Sequence, residues 1–200
     1  MKAFWPKFGT SVNERPILDA APRLTVATDS DVPEVVVLIN QAFRGTGDSA
    51  GWSVKEQYIG GTRITEDMLR EDMAEKAHAT LLLWRLADNS LLGCVWLEPQ
   101  QGRVWYLGLL AISPRAQNAG LGRKLLEAAE NWAQERGATE IKMTTVNLRT
   151  ALIDWYIRRG YALTGETKPF PYGDSRFGKP KRHDLHFVVL RKVLTSLGQS

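Results

Sequence analysis

A mixed α/β fold, with a central sheet of about six to seven strands and about four flanking helices, is what this sequence predicts. Three observations carry it. Short apolar strand-like runs alternate with amphipathic helical segments along most of the chain. Three consecutive runs in the middle are joined only by turn-forming stretches, as an antiparallel meander requires. The last of these then feeds a helix and a further strand, the order of a β-α-β unit.

Residues 1–22 hold three prolines and little periodicity, so they read as an N-terminal extension ahead of a first strand, "RLTVAT". "SDVPEVVVLINQAF" follows as a helix with Ser30 or Asp31 as its cap and a proline tolerated in the first turn. "RGTGDSAGWSVKEQYIGGTR" is loop by its Gly and Ser content, with a short helical piece around Lys55 to Tyr58. "TEDMLREDMAEKA" is a second helix, capped by Thr65, with acidic residues in its first turn and Leu69 and Met73 four apart. "TLLLWRL" and "LLGCVWLE" form a hairpin across "ADNS", and "RVWYLGLLAI" adds a third strand after "PQQG".

That strand stops at Ser113 and Pro114. The helix after it places Leu121, Leu125, Ala128, Ala129 and Trp132 on one face and closes at Gly137. "EIKMTTV" is a strand, "LRTALIDWYIRR" a helix closed by Gly160, and "YALTGE" and "DLHFVVLRKVL" are two final strands. One domain over residues 23–195 with a tail at 196–200 is the expected division, because 200 residues suffice for one ordinary core.

Composition narrows the setting. The chain is 44% hydrophobic and 24% charged, with a formal charge of +4, which favours an anionic ligand without demanding one. Its one cysteine, Cys94, lies inside an apolar run and reads as a small buried hydrophobe, so there is no internal disulfide and no Cys/His metal spacing. His78, His183 and His186 lack metal spacing too and have no nucleophile pattern beside them. No run approaches the roughly 18 to 20 apolar residues needed to cross a bilayer, and "MKAFWPKF" lacks the apolar core of a signal peptide. A cytoplasmic protein with no membrane partner is expected.

The stretch "RAQNAGLGRKLLEAA" holds the strongest chemical signal. A strand entering a helix through glycines leaves the first helical N–H groups unpaired at the positive end of the helix dipole, where they bind phosphate. The spacing fits neither of two common phosphate loops. A Walker loop needs Gly-Lys-Ser/Thr, whereas Gly122 is followed by Arg123 and Lys124. A dinucleotide fingerprint needs a third glycine where Leu125 stands.

Gln117-x-x-Gly120-x-Gly122 resembles the acyl-CoA pyrophosphate loop of the GNAT superfamily of N-acyltransferases. "YLGLLAISP" before it and "NLRTALIDWYIRRGY" after it resemble the family's fourth strand and later motif, and the likeness runs from about Leu24 to Leu194. The resemblance implies a GNAT-type fold, acetyl-CoA as co-substrate, no metal, and acetyl transfer to an amine without a covalent enzyme intermediate. It implies that main-chain groups of Leu110, Ala111 and Ile112 pair with the pantetheine arm. Amides of Gln117, Asn118, Ala119, Gly120, Leu121, Gly122 and Arg123 would hold the pyrophosphate, and Asn147 would bond the pantetheine. Asn147 also suits a helix cap. Tyr156 stands where the family's tyrosine protonates the departing sulfur, although Leu152, Trp155 and Tyr156 also read as one apolar stripe.

Glu98, closing its strand, is the candidate general base, with Asp48 and Glu66 as rivals. By the same resemblance the acceptor site is built from the loop between the first two helices and from "PFPYGDSRFGKPKRHD". Arg44, Trp52, Arg63 and Tyr172 are candidate acceptor contacts, and the aromatic and basic residues of the second loop suit an acceptor with an acidic or aromatic group. "KPKR" is too short and isolated to mark a nucleic-acid partner. A small amine or amino-acid-like acceptor is the leading expectation. A protein or peptide acceptor, a non-catalytic acyl-CoA-binding module, and a homodimer stay open.

Overall fold

The computed structural model describes residues 21–45, 58–116 and 120–195. In chain order these form β1 (Arg23–Val26), α1 (Val32–Arg44), β2 (Ile59–Gly60), α2 (Glu66–Glu75), β3 (Thr80–Arg85), β4 (Leu91–Pro99), β5 (Val104–Ile112), α3 (Leu121–Glu135), β6 (Glu140–Val146), α4 (Thr150–Ile157), β7 (Ala162–Pro169), β8 (Lys179–Pro180) and β9 (His186–Val193). Seven strands make one sheet in the order β1-β3-β4-β5-β6-β9-β7. All neighbours are antiparallel except β5 and β6, which α3 connects as a β-α-β crossover. The predicted mixed sheet with four helices is the one observed.

The runs of consecutive apolar residues in β3 and β4 arise because helices cover both faces of the sheet. Alternate residues of β3 go to opposite cores. Leu81 and Leu83 join Cys94, Trp96 and the α1 residues Val35, Leu38 and Ile39 on one face. Leu82 and Trp84 join Val95, Leu97 and the α3 residues Leu125, Leu126 and Ala129 on the other. The starts of α1 and α2 carry local signals. Thr65 accepts a hydrogen bond from the Met68 amide at the start of α2, while Asp31, at the head of α1, turns its carboxylate back to Thr28.

Three features depart from the sequence expectation. A two-stranded ribbon, β2 with β8, ties the loop after α1 to the loop after β7. Strand β7 extends to Pro169, beyond "YALTGE". The buried face of α3 is rotated to include Leu126, Glu130 and Ala133. Glu130 is tolerated there because Tyr161 Oη donates to it at 2.8 Å and Lys192 Nζ reaches it at 2.6 Å. The helical piece expected around Lys55 lies largely outside the described residues. Among the described residues, no helix is long and apolar enough to cross a membrane.

One irregularity positions the site. Along β4 and β5, Cys94 faces Ala111 but Trp96 faces Gly108, so β5 carries an extra residue. Leu109 takes the strain with φ 47°, a left-handed conformation unusual for leucine. Pairing between β5 and β6 covers only Val104–Tyr106 against Glu140–Lys142, and beyond it the two strands separate.

Candidate active site

The gap between the ends of β5 and β6 opens into a cavity of 1080 Å³. Leu107–Ile112 line one wall and Met143–Val146 the other. Since β5 has no partner there, main-chain groups of its end are presented to the gap, and an extended chain of amides can bond them as an added strand does. Gly93 on β4 backs this wall. A Cβ at Gly93 would lie 2.7 Å from both Ala111 O and Ile112 Cδ1, so only glycine lets β4 support the bulged strand.

Below the gap the cavity meets the start of α3, lined by Gly120, Leu121, Gly122 and Arg123. Gly120 is the helix N-cap with φ 70°, in the left-handed region that glycine enters without strain. The first turn of α3 contains no acidic side chain, so the helix dipole faces the cavity unopposed. Arg158 and Arg159 from the end of α4 line the same region. The Arg159 guanidinium stacks on Trp155 with its carbon 3.6 Å from the ring centroid, and among the described residues its Nε is buried without a hydrogen-bond partner. Burial, together with the charges of Arg158 and Arg123, holds its pKa below the usual arginine value. The helix start and these guanidiniums give this end of the cavity a positive potential.

Tyr156 lies between the two ends. It is buried, with its ring edge-on to Trp155 at 5.0 Å and to Tyr161 at 5.6 Å, and it lines the cavity. Its hydroxyl makes no hydrogen bond among the described residues. Burial pushes the phenol up to about 12, with the Arg149 charge acting in the opposite direction. At neutral pH Tyr156 is therefore protonated and able to donate. Tyr106, on β5 where the strands part, shares a 3.2 Å hydrogen bond with Thr144 Oγ1 on β6.

Glu98 also lines the cavity. Lys76 Nζ lies 3.0 Å from Oε2, Trp96 Nε1 donates to the same oxygen at 3.2 Å, and His78 Nε2 is 3.9 Å from Oε1. Burial alone would push this carboxyl up. The hydrogen bonds from Lys76 and Trp96 outweigh that and hold it below the usual carboxylate range, so Glu98 is ionised.

On the α1 side the lining changes to Phe43, Arg44, Tyr58, Arg63, Arg149 and Phe177. Arg44 is fixed by donating to Gly61 O at 2.9 Å and to Phe177 O at 3.4 Å. Burial and the neighbouring charges of Arg63 and Arg149 bring its pKa down to about 10. Arg63 and Arg149 approach the Phe43 ring, 5.7 and 6.0 Å from its centroid.

The cavity thus brings together Leu110, Ala111, Ile112, Gly120, Leu121, Gly122, Arg123, Tyr156, Glu98, Arg44 and Arg63. Asn147 and Tyr172 are not part of its lining. Asn147 uses its side chain to tie β6 to β9, accepting from His186 N at 3.1 Å and donating to Asp184 O at 3.2 Å, and the cap position of α4 is Arg149 instead. Tyr172 turns outward at 40% exposure, bonds the Leu185 backbone and stacks near His183. Gln117, Asn118, Ala119, Trp52 and Asp48 lie outside the described residues. Glu66 pairs with Arg70 at 3.1 Å, away from the cavity lining. Cys94 is buried, and its thiol is pushed up to about 12 by burial. Sequence reasoning missed Arg149, Arg158, Arg159, Tyr106 and Lys76. The basic residues bracketing "TALIDWYI" were the available signal for the first three.

A bulged strand parting from its parallel neighbour over a glycine-capped helix defines an acyltransferase-like architecture, and comparison with known proteins agrees. Residues 48–161 match the Acetyltransferase (GNAT) family, and the chain belongs to that family. The match leaves β1, α1, β7, β8 and β9 beyond its limits. Over 135 residues the chain is 27% identical to dTDP-fucosamine acetyltransferase of Escherichia coli O6:H1, covering 68% of this chain and 56% of that protein. Over 144 residues it is 27% identical to mycothiol acetyltransferase of Nocardia farcinica, covering 69% and 44%. The chain thus spans about half the length of these curated relatives. Among solved structures, a GNAT family acetyltransferase from Elizabethkingia anophelis with acetyl-CoA bound has the same fold, with a TM-score of 0.63 at 17% identity over 87% of this chain and 99% of that one. Ribosomal-protein-alanine N-acetyltransferase from Brucella melitensis has a TM-score of 0.60 at 18% identity, over 86% and 99%.

Proposed function

We propose that this protein transfers the acetyl group of acetyl-CoA to the primary amine of a small-molecule or amino-acid-like acceptor, by direct attack in a ternary complex. The observation that carries the reading is one cavity that joins a glycine-capped helix start, an unpaired strand end and a protonated buried tyrosine. The CoA phosphates would lie on the amides of Gly120–Arg123 and against Arg158 and Arg159. The pantetheine would run along Leu110–Ile112, which places the thioester in the gap near Tyr156. Gln117, Asn118 and Ala119 complete the phosphate loop in this reading.

The amine enters from the α1 side in its unprotonated form and attacks the thioester carbonyl. Its C–N bond forms, and a main-chain N–H of the Leu110–Ile112 segment steadies the oxyanion. The C–S bond then breaks and the thiolate takes the proton of Tyr156. The proton lost by nitrogen leaves through water toward the Glu98 carboxylate, and Tyr156 is reprotonated from solvent. Atoms and charge balance without a covalent enzyme intermediate.

Two relatives named for small-molecule acetylation, dTDP-fucosamine and mycothiol acetyltransferases, support a small acceptor. The test is CoA thiol release across amino acids, amino sugars, polyamines, arylamines and peptide N-termini, with an acceptor-free control and product masses. Acetylation of small amines well above the control is expected. Transfer to peptides alone would overturn the acceptor class, and tight acetyl-CoA binding without transfer to any amine would overturn the activity.

A further inference from the structure

Tyrosines stand on both faces of the sheet where β5 and β6 part, and both line the cavity. Tyr156 belongs to the core cluster on the α3 face. Tyr106 packs against the cluster on the α1 face, the side of acceptor entry proposed above. The Tyr106 ring lies over Gly108, where a Cβ would meet its Cε1 at 3.0 Å and its hydroxyl oxygen at 3.5 Å. Glycine two residues further on the same face thus leaves the ring room to lie along β5 toward the open strand end. From there the hydroxyl spans the gap to Thr144 Oγ1 on β6 at 3.2 Å. The backbone pairing of the two strands ends at Tyr106 and Lys142, so the hydroxyl pair stands just beyond their last paired residues.

We propose that the Tyr106 hydroxyl, positioned by Thr144, receives the acceptor amine and starts the nitrogen's proton on its way to Glu98. The inference rests on the acetyltransferase reading above and adds a catalytic residue to it. Tyr106 stands between the two ends of the site, close enough to act electrostatically on Arg63 on the α1 side and on Tyr156 on the other. Glu98 is its direct cross-strand neighbour on β4, so the two side chains share the α1 face. Lys76 and Trp96 both hold Glu98 Oε2, whereas Oε1 has the looser contact, with His78 Nε2 at 3.9 Å. Oε1 is therefore the oxygen placed to accept from a water. A phenol hydroxyl both accepts and donates. With Thr144 as donor to it, Tyr106 Oη can accept from the amine N–H while giving its own hydrogen to that water.

The step balances. As the C–N bond forms, the nitrogen becomes cationic. Its proton passes to Tyr106 Oη while the phenol's own proton passes to water and on to Glu98, so Tyr106 ends as it began. The C–S bond breaks and the sulfur takes the proton of Tyr156. One tyrosine serves the nitrogen and another the sulfur, each from its own face of the sheet.

The test compares Tyr106→Phe, Thr144→Val and Thr144→Ser with the native protein across the amine panel. Tyr106→Phe should lower kcat/KM for the acceptor by about 10- to 100-fold, the scale of a lost proton-transfer group. Its affinity for acetyl-CoA should stay within about threefold of the native value. Its melting temperature should fall by no more than about 4 °C, since one neutral hydrogen bond is lost. Thr144→Val should lower kcat/KM by about three- to tenfold by releasing the Tyr106 hydroxyl. Thr144→Ser keeps an Oγ and should restore most of that loss. A hydroxyl pair that only ties β5 to β6 would instead move acetyl-CoA affinity and melting together with the rate. Tyr106→Phe within about threefold of the native kcat/KM would overturn the role and leave the acetyltransferase reading standing. A rate loss matched by lost acetyl-CoA affinity or a lowered melting temperature, or Thr144→Ser as slow as Thr144→Val, would also overturn it. Native protein that acetylates no amine would overturn the acetyltransferase reading and this role with it.

Discussion

Replacing Tyr156 with Phe separates a chemical role from a packing role. The ring would keep its edge contacts with Trp155 at 5.0 Å and Tyr161 at 5.6 Å, so almost no apolar burial is lost. The hydroxyl makes no hydrogen bond among the described residues and is open to the cavity, so its removal neither breaks a bond nor relieves a buried unpaired group. Stability should therefore stay within about 0.5 kcal/mol of the native value. If Tyr156 protonates the departing thiolate, kcat should fall by about 10² to 10³, equivalent to roughly 3–4 kcal/mol in the barrier. Affinity for acetyl-CoA should change by less than about threefold, because the cofactor's binding energy lies in its phosphates and amides. Single-turnover thiol release, titration of acetyl-CoA and a thermal melt read these three quantities. A kcat within about threefold of the native value would refute the acid role. So would a fall in kcat that merely follows a lowered melting temperature.

The pH dependence follows from the same site. Tyr156 must be protonated to act, and because burial raises its pKa to about 12, its own ionisation should put no descending limb in kcat below about pH 11. The ascending limb should follow the acceptor amine's own pKa, checked with two acceptors of different basicity. Glu98, held below the usual carboxylate range, is ionised across that span. Glu98→Gln should thus lower kcat/KM by about tenfold or more at every pH without moving the limb. Tyr161→Phe is the converse of Tyr156→Phe, because it removes the 2.8 Å bond to buried Glu130. It should cost about 1–3 kcal/mol in a denaturant melt with kcat nearly unchanged. Gly93→Ala would press a methyl to 2.7 Å from Ala111 O. It should cost about 2 kcal/mol or more and weaken acetyl-CoA binding by displacing the strand end, both measurable on one purified variant.

The meander β3–β4–β5 and the crossover through α3 were legible because turn chemistry and apolar periodicity are local properties. The ribbon of β2 with β8 was not. Two-residue strands inside Gly- and Pro-rich loops carry no period, and their pairing joins Ile59 to Pro180 across the chain. Nor could the bulge be read, since leucine at φ 47° opposes its own preference and is imposed by the register between β4 and β5. Glu130 reads as a solvent-facing residue, and only partners 31 and 62 residues away allow its burial. At the site, the glycine loop and Tyr156 stood out by motif. Arg149 did not, because its place beside Arg44 and Phe43 depends on tertiary packing between α1 and the head of α4. Asn147 is assigned from the motif resemblance and Tyr172 from its loop, and each uses its side chain to hold the approach to β9.

The most direct test of the account is a crystal structure of the complex with CoA. The account predicts phosphates on the Gly120–Arg123 amides, pantetheine amides bonded to the Leu110–Ile112 backbone, and the sulfur within hydrogen-bond reach of Tyr156 Oη. A CoA whose phosphates avoid the start of α3, or whose sulfur ends remote from Tyr156, would contradict it.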